Sequence, residues 1–127
     1  MGRVETREEL FKKVFAYSLT REINEDVEEM SKTVDKEYLN RAFNGIVNDY
    51  DGIVAEIANY TKGYQLSRVY KVDLALLVVA VYEIKNEKDI PVAVSINEAL
   101  NLAKKYSTEK SVGFINGVLA NFANKKD

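Results

Sequence analysis

Apolar side chains recur at steps of three and four along almost the whole chain, the spacing that lines one face of a helix. Leu10, Phe11, Val14, Phe15 and Tyr17 form a first stripe, with Thr6 as its expected N-cap ahead of Arg7-Glu8-Glu9. Ile23, Val27 and Met30 sketch a short acidic helix. Between Lys36 and Tyr60, the positions Leu39, Ala42, Phe43, Ile46, Tyr50, Ile53, Val54 and Ile57 predict one long helix of about 37 Å. Gly63 is placed to close it.

Tyr64–Tyr70 reads as a short helical turn. Asp73 then opens a helix to about Lys85 that is apolar on every side. Val78, Val79 and Val81 would suit a buried strand too, but no second strand candidate exists to pair with it, so a central helix is expected. Pro91 separates it from the next helix, where Ser95-Ile-Asn-Glu98 has the spacing of a capping box. Ser107 or Thr108 caps the last, whose stripe is Phe114, Ile115, Val118, Leu119 and Phe122. About seven helical segments with no strand predict an all-α bundle, a single domain over 1–127.

The residue inventory excludes much chemistry. The chain of 127 residues holds no cysteine and no histidine. Disulfides, thiolate nucleophiles, Cys/His zinc sites and imidazole acid–base catalysis are thereby removed. The absence of cysteine fits a reducing cytosol, and a cytoplasmic location is expected. The longest apolar run, Leu74–Tyr82, falls well short of the roughly 20 residues of a membrane-spanning helix. Gly2 followed by Thr6 matches the loose myristoylation pattern, which nothing else in the chain supports. Adjacent carboxylates (Glu8/Glu9, Glu25/Asp26, Glu28/Glu29) read as solvated helix faces, and no glycine loop cradles a phosphate. Gly45 and Gly52, inside the long helix, are expected to mark close helix contacts. No enzyme activity, catalytic residue, metal or cofactor is expected.

Charge is distributed unevenly under a net of −2. Residues 1–21 hold five basic and three acidic side chains, residues 22–60 three and ten, residues 101–127 five and two. If the basic ends meet they make one positive face for a polyanion; otherwise they are ordinary solvated surface. Arg3, Arg7 and Lys12 lie along the first helix, and Lys104, Lys105 and Lys110 surround the last helix–helix junction. Tyr64 sits four residues before Arg68, on one face if that turn is helical. Such mixtures of cations and rings hold single-stranded RNA, with cations on phosphates and rings on bases. Phe114 is either a stacking ring or, from its place on the apolar stripe, a core residue.

The stretch DIPVAVSINEALNLAKKYSTEKSVGFINGVLANF resembles the C-terminal signature of the NusB family of bacterial transcription antitermination factors. TREELFKKVF near the start and YQLSRVYKVDLALLVVAVYEI in the middle fit in order, so the resemblance covers nearly the full length. It implies two antiparallel helical halves and binding to single-stranded boxA RNA of ribosomal leader transcripts. The implied partners are the small-subunit ribosomal protein NusE and the RNA polymerase antitermination complex, with the chain itself a monomer or homodimer. Arg3, Arg7, Lys12, Tyr64, Arg68, Lys110 and Phe114 are the RNA-contact candidates, with Arg3, Arg7, Tyr64, Arg68 and Lys110 in one contiguous patch, and Asp73 falls on an acidic position that faces NusE. Asn97 and Asn116 are expected to tie the last two helices together, and Gly117 to admit a neighbour closely. The arginine-rich run usual at the family's N-terminus is thinned here to Arg3-Val4-Glu5-Thr6-Arg7, and Lys110 replaces a usual acidic residue. A non-catalytic helical adaptor that binds protein, with weak or no RNA binding, is the alternative.

Overall fold

The computed structural model describes residues 3–23, 34–61 and 69–125, and the secondary structure there is entirely helical. The helices are α1 (Arg3–Thr20), α2 (Lys36–Asn48), α3 (Tyr50–Ala58), α4 (Lys71–Asn86), α5 (Val92–Tyr106) and α6 (Glu109–Lys125). Of the seven segments expected from periodicity, the one around Val27 and Met30 and most of the Tyr64–Tyr70 turn, with the Gly63 cap, lie outside the described residues; Val69 and Tyr70, the end of that turn, are not helical.

α4 is the axis. Every residue from Asp73 to Ile84 is buried. Each of the other described helices packs against α4; α1, α2 and α3 also pack in succession, and α5 packs on α6. A helix without a polar face has to be covered on all sides, and the two flanking groups do this. Each flank shows its core to α4 at helical spacing: Leu10, Phe11 and Val14 from α1, Leu39, Phe43 and Ile46 from α2, Ile115, Val118, Leu119 and Phe122 from α6.

The single long helix expected over 36–60 is two. At Asp49 the backbone leaves helical geometry (φ −131°, ψ 29°), and its N–H turns to the carbonyls of Ile46 and Val47. Asn and Asp side chains compete with the helix for backbone groups, and Asn48-Asp49 puts two of them together. The Asp49 carboxylate folds over Gly52, where a Cβ would stand 2.3 Å from Oδ1. Gly52 therefore makes room for its own chain and not for another helix. Only one residue interrupts the pattern, so the apolar stripe runs through the break unaltered.

Two expected caps are also placed differently. Thr6 is fully buried inside α1, and its Oγ1 accepts from the Asp35 N–H at 2.8 Å. Asp35 in turn caps α2, accepting from the Tyr38 N–H. Ser95 lies one turn inside α5, which begins after Pro91, a residue whose fixed φ suits a helix start. Thr108, one of the two residues expected there, caps α6 by accepting from the Ser111 N–H at 3.1 Å. Arg21 ends α1 in the left-handed conformation (φ 60°), which costs about 1–2 kcal/mol. Its guanidinium lies 4.8 Å from the centre of the Tyr50 ring and 3.1 Å from Asp51 Oδ1, contacts that offset the strain.

The glycines separate into two kinds. A Cβ at Gly45 in α2 would meet Tyr82 Cε1 of α4 at 2.8 Å, so this glycine does let two helices approach closely. Among the described residues a Cβ at Gly117 or Gly113 in α6 would meet nothing within 4 Å, so none of them is the close neighbour expected at Gly117. Gly117→Ala should therefore stabilise the protein by roughly 0.5–1 kcal/mol through helix propensity and a less free unfolded chain. Gly45→Ala should destabilise it by about 1 kcal/mol or more, since the Tyr82 ring must move. Thermal melts of the two variants should shift in opposite directions, and a shared direction would contradict this assignment.

Candidate nucleic-acid interface

The turn between α5 and α6 is held to the start of α4 by one carboxylate. Asp73 is only 4% exposed, yet both of its oxygens are satisfied. Ser107 Oγ donates to Oδ1 at 2.5 Å and Ser111 Oγ donates to Oδ2 at 2.6 Å. Since the Ser111 hydroxyl hydrogen goes to Asp73, the Thr108 hydroxyl, 2.9 Å away, donates to the Ser111 oxygen. Three hydroxyls and one carboxylate thus form a chain of hydrogen bonds that fixes residues 107–111 against α4.

Beside this clamp lies a groove of about 460 Å³, lined by Val69, Tyr70, Asp73, Thr108, Glu109, Lys110, Ser111 and Phe114. Tyr70 is 60% exposed on its rim, Lys110 is exposed, and Phe114 is half-buried with part of its ring against the core. A lysine in the first turn of a helix opposes the macrodipole, so helix stability does not account for Lys110. The groove offers two aromatic rings, one ammonium and several hydroxyls, a set suited to stacking a base and meeting a phosphate.

A second cluster joins α1 to the end of α5. The Glu8 carboxylate accepts from Lys105 Nζ at 2.7 Å and from the Tyr106 hydroxyl, and the Tyr106 ring lies against Phe11. Hydrogen bonds from Lys105 and Tyr106 hold the Glu8 carboxyl below the usual glutamate range, and Glu8 raises Lys105 in return. Lys12, half-exposed, has Glu9 3.6 Å away.

The candidate RNA residues are therefore dispersed. Lys110 and Phe114 meet in the groove with Asp73 at its edge. Lys12 projects from α1 and does not line the groove. Arg3 opens α1, and its side chain, like Tyr64 and Arg68, lies outside the described residues. Arg7, expected on the surface, is 5% exposed in the core. Its Nε lies 2.9 Å from both oxygens of Glu83 on α4, which is 1% exposed. Glu83 also accepts from the Tyr38 hydroxyl of α2 (2.6 Å) and Ser95 Oγ of α5 (2.7 Å). Asn97 and Asn116 are exposed and no hydrogen bond joins them, so they do not tie α5 to α6. Tyr70 and Ser111 escaped the sequence reading, and Ser107, expected only as a possible cap, instead donates to Asp73. Only Tyr70 carried a local signal, an aromatic beside a basic residue at a helix start.

The depressed Glu8 carboxyl makes a prediction about acid. In the window just below an unfolded glutamate's pKa of about 4.3, the native state binds fewer protons than the unfolded state, so stability rises with pH there. The contribution is complete above about pH 5 and is lost as pH falls through the native value. Glu8→Gln should lower Tm at pH 7, and the gap from the parent should close below about pH 4. A gap that persists unchanged into acid would exclude the ionised clasp.

The family model described as the NusB family matches residues 3–124. A transcription antitermination protein NusB of Agathobacter rectalis is 41% identical over 131 residues, which cover 97% of this chain and 100% of that one. The NusB of Clostridium kluyveri is 50% identical over 90 residues, 71% of this chain and 58% of that protein's length. The solved structure of T. maritima NusB superposes with a TM-score of 0.84 at 36% identity, covering 97% of this chain and 91% of that one. The helices, their order around α4 and the matched sequence agree: this chain belongs to the NusB family.

Proposed function

We propose that this chain is a transcription antitermination factor that holds boxA-type single-stranded leader RNA together with ribosomal protein NusE, keeping RNA polymerase processive on ribosomal RNA operons. The groove between the starts of α4 and α6 carries this reading, because Tyr70, Lys110 and Phe114 converge there on a rigid turn. Support also comes from the relatives, which are named as transcription antitermination proteins. In this reading Lys110 meets a phosphate, Tyr70 or Phe114 stacks on a base, and Lys12 adds a phosphate contact from α1.

One observation favours the adaptor reading as the second choice. Within the groove a single lysine stands next to Glu109, and Arg7 is withdrawn into the core, so the local positive field is weak for a polyanion. Affinity for RNA then comes chiefly from the joint complex with NusE.

Titration of boxA RNA by gel shift, with and without NusE, separates the two. Lys12→Glu with Lys110→Glu should weaken boxA binding by about tenfold or more and reduce the slope of log affinity against log salt by about 1.4, two single-strand phosphate contacts. The melt should stay within a few degrees of the parent, since both side chains are exposed. Parent-like RNA affinity in this double variant would remove the groove and α1 from the RNA site.

Asp73 is the proposed partner-facing residue, and its hydrogen bonds decide how it acts. Buried and doubly bonded to serines, it shapes the 107–111 turn that a partner would touch. Asp73→Asn keeps the shape and removes the charge, so it should cost about 1–3 kcal/mol of stability and weaken binding of NusE at both low and high salt. A direct charge contact would instead leave the melt alone and show its loss at low salt only.

A further inference from the structure

We infer that Arg7 is a positioning residue for α1 and not an RNA contact: through Glu83 it sets the helix that carries Lys12 in register with the α5–α6 junction. The inference rests on the RNA-binding reading for its consequence and on the core geometry for its cause. A guanidinium so near the N-terminus of a basic helix reads, from sequence, as a phosphate ligand. In the fold it points inward, with its Nε centred on both oxygens of a carboxylate that is itself 1% exposed.

Glu83 is the only point in the described residues where α1, α2, α4 and α5 share one hydrogen-bonded group. Its oxygens take Arg7 from α1, Tyr38 from α2 and Ser95 from α5. A charge that deep is stable only when its donors are all in place, so a slide of α1 along α4 would strand it. Apolar packing tolerates small slides and re-packs; a doubly shared carboxylate does not. The next residue, Glu8, meets Lys105 and Tyr106, immediately before the serine clamp at Asp73. Fixing Arg7 therefore fixes where the exposed face of α1 stands relative to the groove.

The test compares three proteins: the parent, Arg7→Met, and a variant in which the whole network is made apolar (Arg7→Met, Tyr38→Phe, Glu83→Leu, Ser95→Ala). Arg7→Met leaves Glu83 buried without its cation. Amide hydrogen exchange should show α1 losing protection beyond the other helices, and boxA affinity should fall tenfold or more at a temperature where the protein is folded. The apolar variant removes all partners at once, so α1 should regain protection and boxA affinity should return to within about threefold of the parent, with the salt slope unchanged. A phosphate-contacting Arg7 predicts the reverse: α1 protected in Arg7→Met, and in the folded apolar variant a tenfold loss with a slope lower by about 0.7. Should the apolar variant not fold, Glu83→Gln decides, since it keeps the guanidinium; weakened RNA binding with loosened α1 supports positioning, and equal or tighter binding overturns it. If the parent itself binds no boxA RNA, the functional reading fails, and α1 exchange in Arg7→Met alone then sustains or overturns the positioning role.

Discussion

A carboxylate inside a helix that is apolar on every face is the constraint around which this fold is arranged. α4 carries two, Asp73 near its start and Glu83 near its end, each almost without solvent. Neither is tolerated there unless other helices bring donors to it, because a buried carboxylate left without partners costs several kcal/mol. Glu83 draws donors from three helices and Asp73 from the α5–α6 turn. The hydrophobic contacts around α4 supply most of the favourable free energy of burial, but they are tolerant of small shifts. The two carboxylates are not tolerant, and they turn a greasy axis into one with a defined register.

The same pairing logic governs the surface. Arg41 donates to both oxygens of Glu87, Lys85 pairs with Glu56, Arg21 with Asp51 and Lys105 with Glu8. Each of these pairs links separate parts of the fold, and each withdraws a cation from the field that an approaching polyanion would feel. Counting arginines and lysines along the sequence therefore overstates the positive potential. What matters is which cations stand near aromatic rings without being drawn into such a pair, and Lys110 lines one groove with Tyr70 and Phe114.

The all-helical architecture was legible because it depends on periodicity, and periodicity survives even the break at Asp49, where one non-helical residue leaves Phe43, Ile46, Tyr50 and Ile53 on one buried stripe. The central place of α4 was legible for the same reason: an unbroken apolar run has no face to offer water. Polar residues were harder. Thr6 and Ser95 stand at cap-like spacings in the sequence but are used for contacts between helices. Arg7 and Glu83 are 76 positions apart, and nothing local in either neighbourhood announces the other. Short-range rules read backbone needs well; they are blind to a partner brought in by tertiary packing, and every misplaced polar residue here has such a partner or, like Asn97 and Asn116, no partner at all.

The order of the helices along the chain gives α4 a history as well as a place. It leaves the ribosome after α1, α2 and α3, which can cover one flank at once, but before α5 and α6, which cover the other. At about 5–20 residues per second, the apolar side awaiting residues 92–125 stays open for seconds. During that interval the nascent chain presents a strip of leucine and valine, with Asp73 lacking its serines and Glu83 lacking Ser95. The half-built molecule is thus both sticky and electrostatically incomplete, a species that chaperones would recognise and that completion of α6 extinguishes.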